Sequence, residues 1–522
     1  MAGEWYRRNG EGRPWFGSAL IAAGVLALLL LVFLLTRLGG GGAEVTPAPT
    51  SAPVIQSSTT TPTERSVTQP AVNNPATETP RSGGDNQRRT NPAATGTPGV
   101  VGDVSKDCPE RCLMRVTDAP QTSTLLSELG ARPSFAGNGW QWVVATPEAI
   151  ARIEKVDPSI VLVSNSADTL RLYAVSVPSD VKEDTAVSAF GTILDTIDRY
   201  RIVETESVPA RVGPLTDTGY VVNKLTPASS SSQKGRTSDL PILTSIDIGT
   251  LTANVSVDNE TTTVTSLQGM GAADGSAVGS RYYSLTGNQL AADYLYTELE
   301  SYGAKVWYED FITPDGLLLV NIVGELPGKD DLKMYGIMAH LDTTAAIPSV
   351  SPGADDNATG VAATLEIMRI FSGYQLNHPV RAIFTNAEDS GLLGSDAWAK
   401  RAVKEKTPVE GVFNIDSVGS TRKGETLIVN GDQKSAWMSD LITRVNDAYG
   451  TGQAINALQS SAIVADDTYV RAQGFESIMI ARELFGESPF HHTANDVVEN
   501  MSIPYTASAT QVVLLSVASL LQ

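Results

Sequence analysis

Cysteine is almost missing from this 522-residue chain, which holds only Cys108 and Cys112, in "DCPERC". A metal site needs more ligands than these two, and the spacing is not the Cys-x-x-Cys of a redox pair. In an exported chain they would form a small local disulfide. Histidine is scarce too, at His340, His378, His491 and His492. Positive charge is in deficit: 38 Lys and Arg face 58 Asp and Glu, a formal net charge of −20. That balance argues against a nucleic-acid partner, which would need a basic face. Apolar residues make up 42% of the chain, enough for a sizeable core, and the length suits two or three domains.

The one long apolar run at the start, "GSALIAAGVLALLLLVFLL" (17–35), carries no charge and is long enough for a bilayer-spanning helix. Arg7, Arg8 and Arg13 precede it, so residues 1–16 are expected in the cytoplasm and the bulk of the chain outside. The alternative is secretion after cleavage of a signal peptide, but "TRLGGGGAEV" is a poor cleavage site. Residues 38–105 are rich in Thr, Pro, Ser and Gly and nearly free of aromatics, the composition of a disordered stalk.

Residues 106–225 read as a small α+β domain of one or two βαβ-like units whose role the sequence does not state. "CLMRV", "WQWVVAT", "SIVLVS", "LRLYAVSV" and "RIVETESV" read as strands, and "DTAVSAFGTILDTIDRY" (184–200) reads as one longer helix. Trp140 and Trp142 alternate on a strand and are expected to pack in a core. This domain could be an inhibitor, a binding module or a spacer. After a linker at 226–239, residues 240–522 alternate short apolar strands with helices. That pattern predicts a three-layer αβα domain on a mostly parallel, mixed sheet.

Three of its strands run into charged residues: "GIMAH" ends at His340 with Asp342 following, "AIFTNA" meets Glu388 and Asp389, and "GVFNI" meets Asp416. Ligands of open α/β sheets bind outside the carboxyl ends of the strands. "PFHHTAND" adds imidazoles, and "GADDNATG" (353–360) adds two acids. Such a mixed N and O donor set suits zinc better than calcium or magnesium, which prefer oxygen shells.

"MAHLD", "GADDNATG", "NAEDSGLLGS", "FNIDSVG" and "HHTAND", in this order, resemble the di-zinc exopeptidases of the bacterial leucyl aminopeptidase and glutamate carboxypeptidase type (metallopeptidase clan H). The resemblance covers about residues 240–522. It implies two zinc ions per chain, one on His340 and Asp416, the other on Asp389 and His492, with Asp356 bridging them. It implies Glu388 as general base and acid, Asp342 orienting His340, and supporting roles for Asp466 and Asp496. Where the family has Glu-Glu this chain has Glu388-Asp389, one methylene shorter but still an ordinary zinc ligand. His491 occupies a position usually filled by another residue type and is read as pocket wall, and His378 as loop.

The expected function is therefore a membrane-tethered metallo-aminopeptidase acting on N-termini of peptides or proteins. A carboxypeptidase would need a cation for the substrate carboxylate, for which Arg471 and Arg482 are candidates. A non-catalytic receptor or adhesion module on the same fold predicts lost ligands, whereas every ligand position here carries a competent side chain. "GADDNATG" also contains a glycosylation sequon at Asn357, but a glycan there would sit on the site, which leaves Asn254 and Asn259 as better acceptors.

Overall fold

The computed structural model describes residues 104–522 except 110, 130, 132, 138, 166–168, 180, 182–183, 227–239, 274–275, 420–425 and 484–487. The expected cytoplasmic segment 1–16, the anchor at 17–35, nearly all of the stalk and most of the second linker lie outside the described residues.

Two copies of one motif come first. β1 (Cys112–Thr117), α1 (Pro120–Glu128), β2 (Pro133–Gly137), β3 (Trp140–Ala145), α2 (Pro147–Ile153) and β4 (Val161–Ser164) form a sheet of order β2-β3-β1-β4. β5 (Leu172–Ser176), α3 (Thr185–Phe190), β6 (Thr192–Ile197), β7 (Tyr200–Glu204), α4 (Gly213–Thr216) and β8 (Val221–Lys224) repeat it as β6-β7-β5-β8. Both are βαββαβ units whose first and third strands lie in the middle of the sheet, the ferredoxin-like pattern. The helix expected over 184–200 is therefore a short helix and a strand. Gly191 breaks it: a Cβ there would meet the Glu204 carbonyl at 2.3 Å, so the backbone passes too close to β7 for a helix to continue.

The sheets of the two modules share a core of Leu113, Trp142 and Val144 from the first with Leu172, Ala174 and Ile202 from the second. Trp142 donates its indole N–H to Asp195 at 2.8 Å, and Asp195 also binds Arg115. Trp140, half-buried, lies under the Arg115 guanidinium. Cys108 and Cys112 are joined as a disulfide.

The larger domain opens with α5 (Ser245–Leu251), α6 (Val257–Gln268) and α7 (Thr286–Ser301). These lead to β9 (Lys305–Ile312), β10 (Leu318–Leu326), β11 (Met334–His340), α8 (Gly360–Phe371), β12 (Val380–Thr385) and α9 (Leu393–Glu405). β13 (Val409–Ile415), β14 (Thr426–Asn430), α10 (Ala436–Tyr449), β15 (Ala454–Leu458), α11 (Asp467–Ala472), β16 (Ser477–Ala481) and α12 (Ile503–Leu521) complete it. The eight strands order as β15-β14-β16-β13-β11-β12-β10-β9, with β16, β13, β11 and β12 parallel and β10 and β9 antiparallel at one edge. This is a mixed, largely parallel αβα layer.

Period-2 alternation sorts the strand residues between the two faces. Tyr335, Ile337 and Ala339 pack with α5–α8, α10 and α12, whereas Met334 and Met338 pack with Trp398 of α9 and Val470 of α11. Among the described residues α12 alone is long and apolar enough to cross a membrane, but two thirds of its apolar window is buried against this core.

Candidate active site

The parallel strands end side by side, with His340 at the end of β11 opposite Thr385 at the end of β12. Glu388, Asp389 and Asp416 follow within a few residues of their own strands, so the topology alone gathers them at one edge. The backbone is bent to do so. Ala387, Ser417 and His492 adopt left-handed φ values of 55°, 55° and 56°, unfavourable for residues with a Cβ and typical of functional sites.

The segment 353–360 is held from both ends. Gly353 has φ of 55°, and a Cβ there would strike the Thr343 side chain at 2.1 Å. A Cβ at Gly360 would meet the Ile415 carbonyl at 2.3 Å. Between them Asn357, fully buried, donates to the Ile415 carbonyl and accepts from the amides of Gly360 and Ser417. Asp496 accepts from the amides of Asp355 (2.8 Å) and Asp356 (3.0 Å). Asp355 turns the other way, accepting from Arg482 Nε at 2.5 Å and the Gly419 amide at 2.8 Å.

These restraints leave Asp356 between the imidazoles. Its Oδ1 lies 3.2 Å from His340 Nε2, and its Oδ2 lies 3.0 Å from His492 Nε2. Asp416 Oδ1 is 3.5 Å from the same His340 nitrogen, and Asp389 Oδ1 is 2.9 Å from His492 Nε2. Two donor groups result, sharing Asp356. His340, Asp356 and Asp416 form a buried cluster that could hold one cation; Asp356, His491 and His492 form another, and Asp389 adjoins it through His492. The set fits divalent metal: it combines imidazole nitrogen with carboxylate oxygen, and Asp389 keeps a second buried oxygen with no protein partner.

The electrostatics point the same way. Burial, reinforced by Asp356 nearby, pushes Asp389 up to about 7 despite the hydrogen bond from His492. Burial holds Glu388 well above the usual carboxylate range; His340 opposes it, while Asp416, Asp466 and Asp389 add to it. For Asp356 burial works upward, but the hydrogen bonds from His340 and His492 prevail and hold it well below. So many buried carboxylates with few cations is a charge deficit that bound metal would offset.

Asp342 does not hydrogen-bond His340 through its carboxylate: Oδ1 is 3.7 Å from Nδ1, and the closer contact is its backbone oxygen at 3.3 Å. Asp342 Oδ1 instead accepts from the Glu388 amide at 3.0 Å, tying the β11 end to the β12 end. Asp466, wholly buried, accepts from Thr385 Oγ1 behind the site. His491 meets His492 edge to face, with ring centroids 3.8 Å apart, and its Nε2 is 3.4 Å from Asp356 Oδ2. His378 is away from the site and faces Asp330. Arg471 pairs with Asp467, whereas Arg482 lies in the site cavity.

Arg281 had no signal beyond its place before a helix. It is wholly buried and donates to the carbonyls of Leu341, Pro352 and Gly353, the two ends of the loop between His340 and Asp356. Burial pushes its guanidinium down to about 10, opposed by Asp496, Asp342, Asp356 and Asp389. The site opens into a cavity of about 410 Å³ lined by Asp356, Glu388, Asp389, Asp416 and His492. Ile463, Val464 and Met479 add apolar side chains to its lining.

Residues 321–517 match the model for peptidase family M28. A probable leucine aminopeptidase of Arthroderma benhamiae is 26% identical over 254 residues, covering 45% of this chain and 65% of its own length. Aminopeptidase YwaD of Bacillus subtilis is 28% identical over 171 residues, covering 32% of this chain and 36% of its own. The chain thus spans less than two thirds of these curated relatives. Among solved structures, a Zn-dependent exopeptidase from Parabacteroides distasonis aligns with TM-score 0.42 and 25% identity, covering 50% of this chain and 97% of its own.

Proposed function

We propose that this protein is a zinc-dependent aminopeptidase that removes N-terminal residues from peptides. The observation that carries the reading is the shared carboxylate: Asp356 offers one oxygen to the His340–Asp416 group and the other to the His492–Asp389 group. His340, Asp416 and Asp356 would hold one zinc, and Asp389, His492 and Asp356 the second.

Zinc bound there supplies Lewis acidity toward the scissile carbonyl and lowers the pKa of water toward neutrality. Glu388 stands in the same cavity without a place in either donor group. Its carboxylate takes a proton from the attacking water and delivers it to the leaving amine nitrogen. Asp342 fixes the Glu388 backbone, and Asp496 with Asn357 fixes that of Asp356. A surplus of carboxylates at the cavity edge suits a free α-ammonium group better than a terminal carboxylate.

Arg482 is the one feature favouring a carboxypeptidase, because its nearly buried guanidinium borders the cavity. Asp355 already binds it, which lowers its value as a carboxylate anchor. The test is hydrolysis of a peptide panel blocked at one end or the other by the zinc-loaded chain. Release from C-terminally blocked peptides supports the aminopeptidase; release only from N-terminally blocked ones makes it a carboxypeptidase. No release from either leaves the non-catalytic module. The anchor at 17–35 and an extracellular peptidase domain complete the proposed picture, tested by protease accessibility on intact cells.

A further inference from the structure

Ile463, Val464 and Met479 add apolar side chains to the cavity lining, Met479 from β16. If the terminal residue of an aminopeptidase substrate takes those apolar side chains, the peptide beyond the scissile bond passes on the side of the loops that follow β11 and β12. That side carries exposed apolar side chains. The loop leaving His340 presents Ile347 at 61% exposure and Val350 at 37%. Beside it lie Tyr282 and Tyr283, half-buried, with ring centroids 4.8 Å apart.

The surface is built rather than incidental. Ser280 bridges to Ser351 and donates its hydroxyl to the Pro348 carbonyl at 2.5 Å. The Arg281 amide donates to Thr343 Oγ1, and Thr343 in turn donates to the Ser351 carbonyl. The 279–283 segment therefore runs along the 343–351 loop, and both are tied to the backbone that carries His340 and Asp356.

The second βαββαβ module closes the outer rim. Its Val212 and Gly213 amides donate to the Gly316 carbonyl, and the Leu318 amide donates to Ala210. Leu318 is buried in the module's own core with Tyr173, Val203 and Val222. β10 starts on the site side of the sheet, since the Asn386 side chain, two residues before Glu388, reaches the Val320 carbonyl. Arg211 and Asp315 at this junction both act on Tyr283.

We propose that Tyr282, Tyr283, Ile347 and Val350 form the binding shelf for the peptide segment that follows the scissile bond, with the second module as its rim. The occupant is an extended peptide with apolar side chains. The argument for it is continuity: Ile347 and Val350 stand on the loop that joins His340 to the Asp356 turn, and Arg281, next to Tyr282, is tied to both ends of that loop. The proposal rests on the aminopeptidase reading.

The test compares leucine amide, which has no downstream residue, with a leucine-headed, apolar pentapeptide amide, using the full chain and the exposed-loop variant Ile347→Asp/Val350→Asp. The expected result is a kcat/KM loss of at least about tenfold on the pentapeptide, the scale of one buried apolar side chain, with leucine amide unchanged. Ile347→Ser/Val350→Ser should show a smaller loss of the same kind if introduced charge is not the cause. Equal loss on both substrates, or none, overturns the shelf. So does a wild type that is dimeric where the variant is monomeric, which would give the patch to a second copy. If wild type releases leucine from neither substrate, the aminopeptidase reading itself has failed.

Discussion

Asp356 turns its two carboxylate oxygens to different imidazoles, Oδ1 to His340 Nε2 at 3.2 Å and Oδ2 to His492 Nε2 at 3.0 Å. A carboxylate placed this way would join two metal positions into one centre. Asp356→Asn should lower zinc affinity at both positions, by at least about tenfold each, because an amide is a poor bridging ligand. Equilibrium dialysis against zinc buffers reads this, and loss confined to one position would argue against a bridge.

The terminal ligands predict a different pattern. His340→Ala should empty the His340–Asp416 position and leave the other, and His492→Ala should do the reverse. Cobalt substitution followed by absorption spectroscopy separates the two. If either variant binds as much metal as wild type, that residue is not a ligand, and His491 becomes the candidate replacement at the His492 position.

The buried pair Asp355–Arg482 holds the opening turn of this centre to the β16 end, at 2.5 Å. Removing one partner leaves an uncompensated buried charge. Arg482→Met should therefore cost on the order of 3–5 kcal/mol of stability, read by denaturant unfolding. A loss well below about 1 kcal/mol would mean that Asp355 is satisfied without it.

Much of this site was legible because its residues lie at strand ends and in short motifs. His340, Asp389, Asp416 and His492 are each recognisable from local sequence, and parallel topology alone brings strand ends together. The contacts that set their geometry were not legible. Arg281 reaches carbonyls 60 to 72 positions away, and Asp496 reaches amides 140 positions away. No local pattern encodes such partners. Asp342 shows the limit from the other side: its carboxylate faces His340 Nδ1 at 3.7 Å, as its position suggested, but its hydrogen bond is to the Glu388 amide. In the small modules, the helix reading of 184–200 missed the strand β6 because Thr192–Ile197 carries too weak an alternation to outweigh its neighbours, and only pairing with β7 defines it.

Glu260 on α6 gives a prediction remote from this site. Burial, reinforced by Glu366, pushes its carboxyl up to about 8, although Thr510 donates to it. Its folded pKa exceeds the unfolded value, so the folded state binds the extra proton. Stability should fall as pH rises from about 4.5 to about 8 and level off above that. Glu260→Gln keeps a hydrogen-bond acceptor and removes the charge. It should be more stable than wild type at pH 8, by a few kcal/mol, and alike at pH 4. Parallel thermal melts at the two pH values check this; a variant less stable than wild type at pH 8 would show that the ionised carboxylate is tolerated.

The central claim is that Glu388 moves the proton for a zinc-assisted hydrolysis at this centre. The most direct measurement is zinc content and N-terminal residue release, made side by side on wild type and Glu388→Gln. The account predicts two zinc ions per chain in both, with release slowed by roughly 10²–10⁴-fold in the variant. Undiminished release by Glu388→Gln, or release by a wild-type chain that holds no zinc, would contradict it.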